Sequence, residues 1–234
     1  MDEPERARAG DFVKFPRTPH LVWLGGPPPR GDKLMAGGEA DEWLRQPMGV
    51  EEKVDGANLG LSLGADGRLR GQSRGHYQGA RTGGQWEPLW RWLAQREERL
   101  RSVLAPSAIA FGEWCHAEHS VHYDFLPDWF LLFDVYDRGE SRFWSRVRRD
   151  ELACAAGLAT VPLVTTGVMS LAALRGLLGP SRLGSVPSEG VYLRWDDEEG
   201  WLRARAKIVR PGWVMAGDEH WSTGPLKTNR LGKR

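Results

Sequence analysis

The stretch Glu51-Glu52-Lys53-Val54-Asp55-Gly56-Ala57-Asn58 sets one lysine among carboxylates and follows it with an aspartate–glycine pair. The plain reading of Lys53 is a salt-bridged hairpin lysine. The chemical reading is a nucleophile. An amine attacks only when unprotonated, and a lysine with a reference pKa near ~10.4 needs neighbouring cations, a metal or desolvation to lose its proton at neutral pH. Attack on the α-phosphate of a nucleoside triphosphate would give a phosphoramidate and release pyrophosphate. That reaction requires cations around the phosphates and a divalent metal on acidic groups. It also requires an aromatic face for the base and a carboxylate for the ribose hydroxyls.

The chain offers a candidate for each requirement. Lys53 is the nucleophile, with Asp55 two residues on and Gly56 permitting close backbone approach. Glu113 stands at a strand end in Phe111-Gly112-Glu113-Trp114, and Phe133 precedes Asp134 in the aromatic run WFLLFDVYDR. Glu189 supplies a second carboxylate before Gly190-Val191-Tyr192. Arg205 and Lys207 are two residues apart, so on a strand they share a face.

The elements that must hold these residues are legible as pattern. Residues 51–54 and 58–63 read as strands, Ala65-Asp66-Gly67 as a turn and Arg68 to Ser73 as a returning strand. Leu89, Trp92, Leu93, Leu100, Val103 and Leu104 fall near one face of a single helix from Glu87 to Leu104, closed by Pro106. Ile109 to Trp114 and Trp129 to Tyr136 read as core strands. Ser145 to Ala156 and Leu171 to Leu178 read as helices. Gly190 to Trp195 and Trp201 to Val209 form a strand pair across the acidic turn at 196–200. Gly25 to Gly31 and Gly79 to Gly84 are loops. The sum is an α+β pattern with mostly antiparallel strands.

With these motifs in order over roughly residues 11–212, the sequence resembles the covalent nucleotidyltransferases, the ATP-dependent polynucleotide ligases and mRNA capping enzymes. Lys53-Val54-Asp55-Gly56-Ala57-Asn58 is similar to the RNA-ligase form of the first motif. GEWCHAEHSVHYDFLPDWFLLFDVYD resembles the third-motif region of bacterial RNA ligases related to the nick-sealing phage type. KFPRTPHL resembles an RNA-ligase lead-in. The resemblance implies a nucleotidyltransferase fold of antiparallel sheets flanked by helices. It implies an ATP-dependent RNA ligase that joins 5′-phosphate and 3′-hydroxyl ends through lysyl-AMP, with Mg²⁺ or Mn²⁺.

By the same resemblance Lys53 is adenylated, Glu113 holds the ribose and Phe133 stacks on adenine. Glu189 organises the metal. Arg205 and Lys207 contact the phosphates. Asn58 orients the leaving group, and Arg74, after Ser73, faces pyrophosphate or the RNA end. Where the family usually has Lys-x-Lys, this chain has Arg205-Ala206-Lys207. Arginine keeps the charge and forks onto phosphate, but does not titrate. Residues 1–215 are expected to form the adenylyltransferase domain. Residues 216–234 are expected to be a short basic tail without an OB domain, its Lys227, Arg230, Lys233 and Arg234 adding to the grip on RNA. The alternatives are a DNA ligase or an mRNA guanylyltransferase-like enzyme, which share the first step, and a non-catalytic nucleic-acid-binding protein on a ligase fold.

Composition limits the setting. Lys plus Arg total 32 against 31 Asp plus Glu in 234 residues, so a nucleic-acid surface must be a local patch. The two cysteines, Cys115 and Cys154, make no disulfide framework. No apolar run reaches membrane-spanning length and the start is charged, so a cytoplasmic protein is expected, with a repair partner protein as a further candidate. Cys115-x3-His119-x2-His122 lacks a clean fourth zinc ligand, so these histidines are expected to order the loop after Glu113 or touch substrate. Arg142, Arg146, Arg148 and Arg149 read most simply as a solvated helix face, and otherwise as RNA-binding surface. Trp213 and Trp221 are candidates to stack on bases.

Overall fold

A computed structural model describes residues 12–25, 33–79, 83–213 and 225–232 of the chain. Two sheets dominate it. One runs β10-β9-β1-β8, from strands β1 (Met48–Lys53), β8 (Leu163–Gly167), β9 (Gly190–Asp196) and β10 (Leu202–Val209), all antiparallel. The other runs β3-β2-β4-β5-β6, from β2 (Ala57–Leu63), β3 (Leu69–Gln72), β4 (Ala108–Trp114), β5 (Phe130–Asp137) and β6 (Arg142–Phe143). Short β7 (Ala159–Thr160) joins it parallel to β5.

Helices cover the outer faces. Leu89, Trp92 and Leu93 of α2 (Leu89–Ala94), Leu100 of α3 (Glu97–Val103) and Leu152, Ala153 and Ala156 of α4 (Arg146–Ala156) pack on the second sheet with Leu59, Leu61 and Leu132. Trp43 of α1 (Gly37–Trp43) and Leu174 of α5 (Leu171–Gly176) pack on the first sheet with Val50, Leu193 and Ile208. The α+β expectation and its mostly antiparallel strands hold. Helix α1 and strands β6, β7 and β8 have no counterpart in the sequence reading.

The single helix expected over 87–104 is two. Arg96 explains the break: its backbone N–H bonds the Leu93 carbonyl, while its guanidinium takes the Trp92 carbonyl at 3.2 Å. That carbonyl would be the acceptor for the same N–H in an unbroken helix. The guanidinium also stacks on Trp92 and pairs with Asp128 at 2.7 Å. Of the loops expected at 25–31 and 79–84, residues 26–31 and 80–82 lie outside the described residues, as does Trp221. Trp213 lies under the guanidinium of Arg210.

The facing sides of the two sheets are joined by buried charge. Asp134 of β5 is fully buried and accepts from Arg194 of β9, from Arg205 of β10 at 2.7 Å and from the Tyr192 hydroxyl at 3.0 Å. Burial pushes the Asp134 carboxyl up, but Arg194 and Arg205 outweigh it and hold the group below its usual range. Arg149 of α4 pairs with Glu51 of β1 at 2.6 Å with both side chains buried. The solvated face expected for the arginine run is therefore wrong for Arg149, whose charge is neutralised inside. Arg148 lies between Trp144 and Trp201, and Arg142 pairs with Asp197. Breaking one partner of a buried ion network strands the others. Asp134→Ala is expected to cost about 3–5 kcal/mol, read as a lower denaturant midpoint. A loss under about 1 kcal/mol would mean that Arg194 and Arg205 find water instead.

Candidate active site

A cavity of about 530 Å³ opens where the facing sides of the two sheets part. Seven of the residues singled out by sequence line it: Lys53, Asn58, Arg74, Glu113, Phe133, Glu189 and Lys207. The ladders explain the convergence. Lys53 ends β1 opposite Gly190, the residue after Glu189, and Lys207 of β10 lies opposite Tyr192. A Cβ at Gly190 would stand 2.1 Å from the Ile208 carbonyl oxygen, so only glycine lets the strands meet there. Asn58 of β2 pairs directly with Glu113 of β4. Phe133 reaches the cavity through a bulge: Phe111 faces Asp134 and Gly112 faces Leu132, leaving Phe133 as the extra residue of β5. A bulge lets neighbouring residues lean to one side. Here Phe133 lines the cavity while Asp134 binds Arg194 behind it.

The electrostatics centre on Lys53. Its Nζ donates to Glu189 Oε2 at 2.7 Å. Burial pulls the amine's pKa down, but Glu189 and Glu113 outweigh it, so the ammonium is held charged above its usual range. Glu189 is pushed up by burial against the pull of Lys53. Glu113 is pushed up to about 8, first by burial and then by Asp55 and Glu189, against Lys53 and Arg74. Glu113 Oε2 and Asn58 Oδ1 are buried and find no hydrogen-bond partner among the described residues. Two adjacent acceptors left bare cost stability unless something donates to them.

The raised Glu113 pKa has a measurable consequence. The folded chain holds a proton there that the unfolded chain releases. The resulting stabilisation is complete below the ordinary value of 4.5 and is lost as pH rises through about 8. Ligand-free protein is therefore expected to lose stability between those limits, and Glu113→Gln to flatten the fall and to be the more stable variant at the alkaline end. Denaturant melts across that range check this, and an equally steep fall in both proteins would clear Glu113 of the role.

Two sequence candidates do not line the cavity. Arg205 shares a face with Lys207 but turns onto Asp134, with its guanidinium over Phe143 at 3.8 Å and Phe15 at 4.8 Å. Asp55 turns away to accept from the Ser120 and Val121 N–H groups at 2.7 and 3.2 Å, while its own N–H donates to the Tyr123 hydroxyl. Gly56 beside it is tight: a Cβ would stand 2.9 Å from the Trp114 carbonyl oxygen.

Other lining residues had no assigned role in the sequence, or only a general one. Glu52 borders the cavity with its carboxylate on Ser181 Oγ and the Arg182 N–H. Phe15, Pro16 and Thr18 line it from the lead-in segment, which is carried there by bonds between Lys207 and both Pro19 and Leu21. The motif KFPRTPHL was the only signal for them. Gln85 and His119 meet at 2.9 Å on the rim, and burial holds the His119 imidazole down to about 4, so it is neutral. His122 instead faces Glu118 and Asp124, and Cys115 is buried. Among the described residues no cluster of three metal-ligating side chains occurs.

Of the basic tail, Lys233 and Arg234 lie outside the described residues, and residues 225–232 pack against the loop that follows Glu113.

The same fold recurs in solved structures. A variant of Naegleria gruberi RNA ligase solved with ATP and Mn matches 91% of this chain at a TM-score of 0.57 and 15% identity. A second variant, solved with AMP and Mn, matches 84% at a TM-score of 0.55 and 17% identity. An apo variant matches 88% at 0.55 and 16%. The chain spans 63%, 61% and 63% of those structures, respectively, less than two thirds of their length. No curated protein matches the sequence. At such identities the likeness shows the nucleotidyltransferase fold. The family itself follows from the family model for RNA ligase, which matches residues 46–209, well over half the chain and every strand of both sheets from β1 to β10: this protein belongs to the RNA ligase family.

Proposed function

We propose that the protein is an ATP-dependent RNA ligase that joins 5′-phosphate to 3′-hydroxyl ends through AMP carried on Lys53. One observation carries the reading: a half-buried lysine held 2.7 Å from Glu189, at the wall of a cavity that Glu113, Phe133 and Lys207 also line. Membership of the RNA ligase family supports RNA as the substrate, and the ATP- and Mn-bound relatives support the nucleotide. No helix among the described residues is long and apolar enough to cross a membrane.

In the first step Lys53 Nζ attacks the α-phosphorus, the bond to the bridging oxygen breaks, and pyrophosphate leaves. Lys53 must first surrender the proton that Glu189 and Glu113 hold on it. Those carboxylates, with the bare Glu113 Oε2, are hard oxygen donors suited to Mg²⁺ or Mn²⁺. With no three-ligand cluster among the described residues, such an ion would keep water and take phosphate oxygens for most of its shell. Bound there, a divalent cation supplies positive charge that offsets the carboxylates and the polyphosphate together. Lys207 meets charge building on the α-phosphate. Phe133 offers a face for the base, and the ribose hydroxyls donate to Glu113 and Asn58, whose buried oxygens otherwise go without. Arg74, exposed at the rim, meets the departing pyrophosphate. Arg205 acts at one remove, by fixing Asp134 behind Phe133.

In the second step AMP moves from Lys53 to an RNA 5′-phosphate. In the third a 3′-hydroxyl attacks that phosphate, AMP leaves and a phosphodiester forms. We place residues 1–215 in the adenylyltransferase domain and the work in the cytoplasm. The test is incubation with each α-labelled nucleoside triphosphate and Mg²⁺ or Mn²⁺, without RNA. Covalent label from ATP, chased into nicked RNA ahead of nicked DNA, is the expected result. Label from GTP would favour a capping-type enzyme, and no label from any triphosphate would leave a binding protein.

A further inference from the structure

The C-terminal segment 225–232 is stitched along the loop that follows Glu113. Asn229 N–H donates to the His116 carbonyl, Arg230 N–H to Tyr123, Glu118 N–H to Lys227 and Leu126 N–H to Arg230, all at 2.9–3.1 Å. At the centre is the Asn229 side chain, 3% exposed. Its Oδ1 accepts from the Tyr123 N–H at 2.8 Å, and its Nδ2 donates to the Cys115 and Ala117 carbonyls at 2.9 and 3.0 Å. Both amide hydrogens and the oxygen are thus used, and no other residue type presents that set in that space.

The far side of the same loop grips Asp55. Ser120 and Val121 donate to its carboxylate, and the Tyr123 hydroxyl takes its N–H at 2.7 Å. Asp55 is two residues from Lys53. The loop therefore has Asn229 on one side and the base of the Lys53 turn on the other, with Tyr123 bonded to both. We infer that Asn229 is a positioning residue for AMP transfer to Lys53, acting through the 115–123 loop and Asp55. The inference rests on the activity proposed above. It gives the described part of the tail a role in the first step, beside the RNA grip expected of its basic residues.

Full-length Asn229→Ala leaves two carbonyls and one N–H without partners and loosens the loop. A reacting group displaced by about 1 Å can cost about a hundredfold in rate. At saturating ATP the single-turnover rate of lysyl-AMP formation is expected to fall at least about tenfold, with KM for ATP changed by less than about threefold. Amide exchange at Ser120 and Val121 should quicken while β4 and β5 keep their protection. Faster loop exchange with an unchanged rate per folded molecule would overturn the inference, as would a rate loss that merely tracks exchange rising in both sheets. Should the alanine variant not fold, Asn229→Ser, whose hydroxyl still serves one carbonyl, is read the same way. Failure of both to fold would make Asn229 structural only. If the unsubstituted protein took no label, the proposed activity itself would fall; label there with normal Asn229→Ala kinetics rejects the inference alone.

Discussion

Lys53→Ala is expected to form no protein–AMP, at any ATP or metal concentration, and to remain folded. The nucleophile is the atom removed, so no adjustment of conditions restores the first step. Lys207, which also lines the cavity, lies on a different strand, whereas the Lys53 amine is the one that donates to Glu189 at 2.7 Å. Folding survives because Glu189, already pushed up by burial, takes a proton once its partner is gone. The same variant should still seal RNA that carries a chemically prepared 5′-adenylate, since the third step has no use for the lysine as nucleophile. Gel assays with labelled ATP and with pre-adenylated RNA separate the two steps. Normal protein–AMP in this variant would sink the assignment of Lys53.

Glu189→Ala and Lys207→Ala are each expected to slow adenylation at least about a hundredfold, the scale for losing a metal organiser or a charge aimed at a developing oxyanion. The two losses should differ in kind. Removing Glu189 removes the main carboxylate that keeps Lys53 protonated, which by itself frees the amine. A net loss therefore means that its service to the metal outweighs its hold on the proton, and raising Mn²⁺ should recover part of the rate. Removing Lys207 takes away charge at the phosphates, so added metal should help little and KM for ATP should rise with the loss of rate. Wild-type rates in both variants would put the phosphates elsewhere. Arg205→Lys should be the mildest change for chemistry, with its cost in stability, because the guanidinium serves Asp134 and the rings of Phe15 and Phe143.

Much of the site was written in local pattern. Lys53, Glu113 and Glu189 lie at or beside strand ends and Lys207 within a strand, each strand announced by its apolar residues, and strand alternation alone put Arg205 and Lys207 on one face. The resemblance to RNA ligases assigned the roles, and adenylation of a lysine calls for the carboxylates, aromatic and cation pair that the chain offers. The same alternation could not say what stands across from each side chain. Arg205 and Lys207 look alike in sequence, yet one meets Asp134 and the other the cavity, because only the packing of one sheet on the other sets those partners. Phe133 reaches the cavity through a bulge that depends on the pairing of β4 with β5. Asn229 sits in an unremarkable basic tail and gains its place only when carbonyls more than a hundred residues earlier come within 3.0 Å of its amide. Residue types and short spacings are properties of the chain, so the sequence alone determined which residues could serve the proposed reaction and the strands that carry them. Register, bulges and buried ion partners arise between segments far apart in sequence, where burial forces each polar group to find a partner, and so they were decided by the tertiary structure.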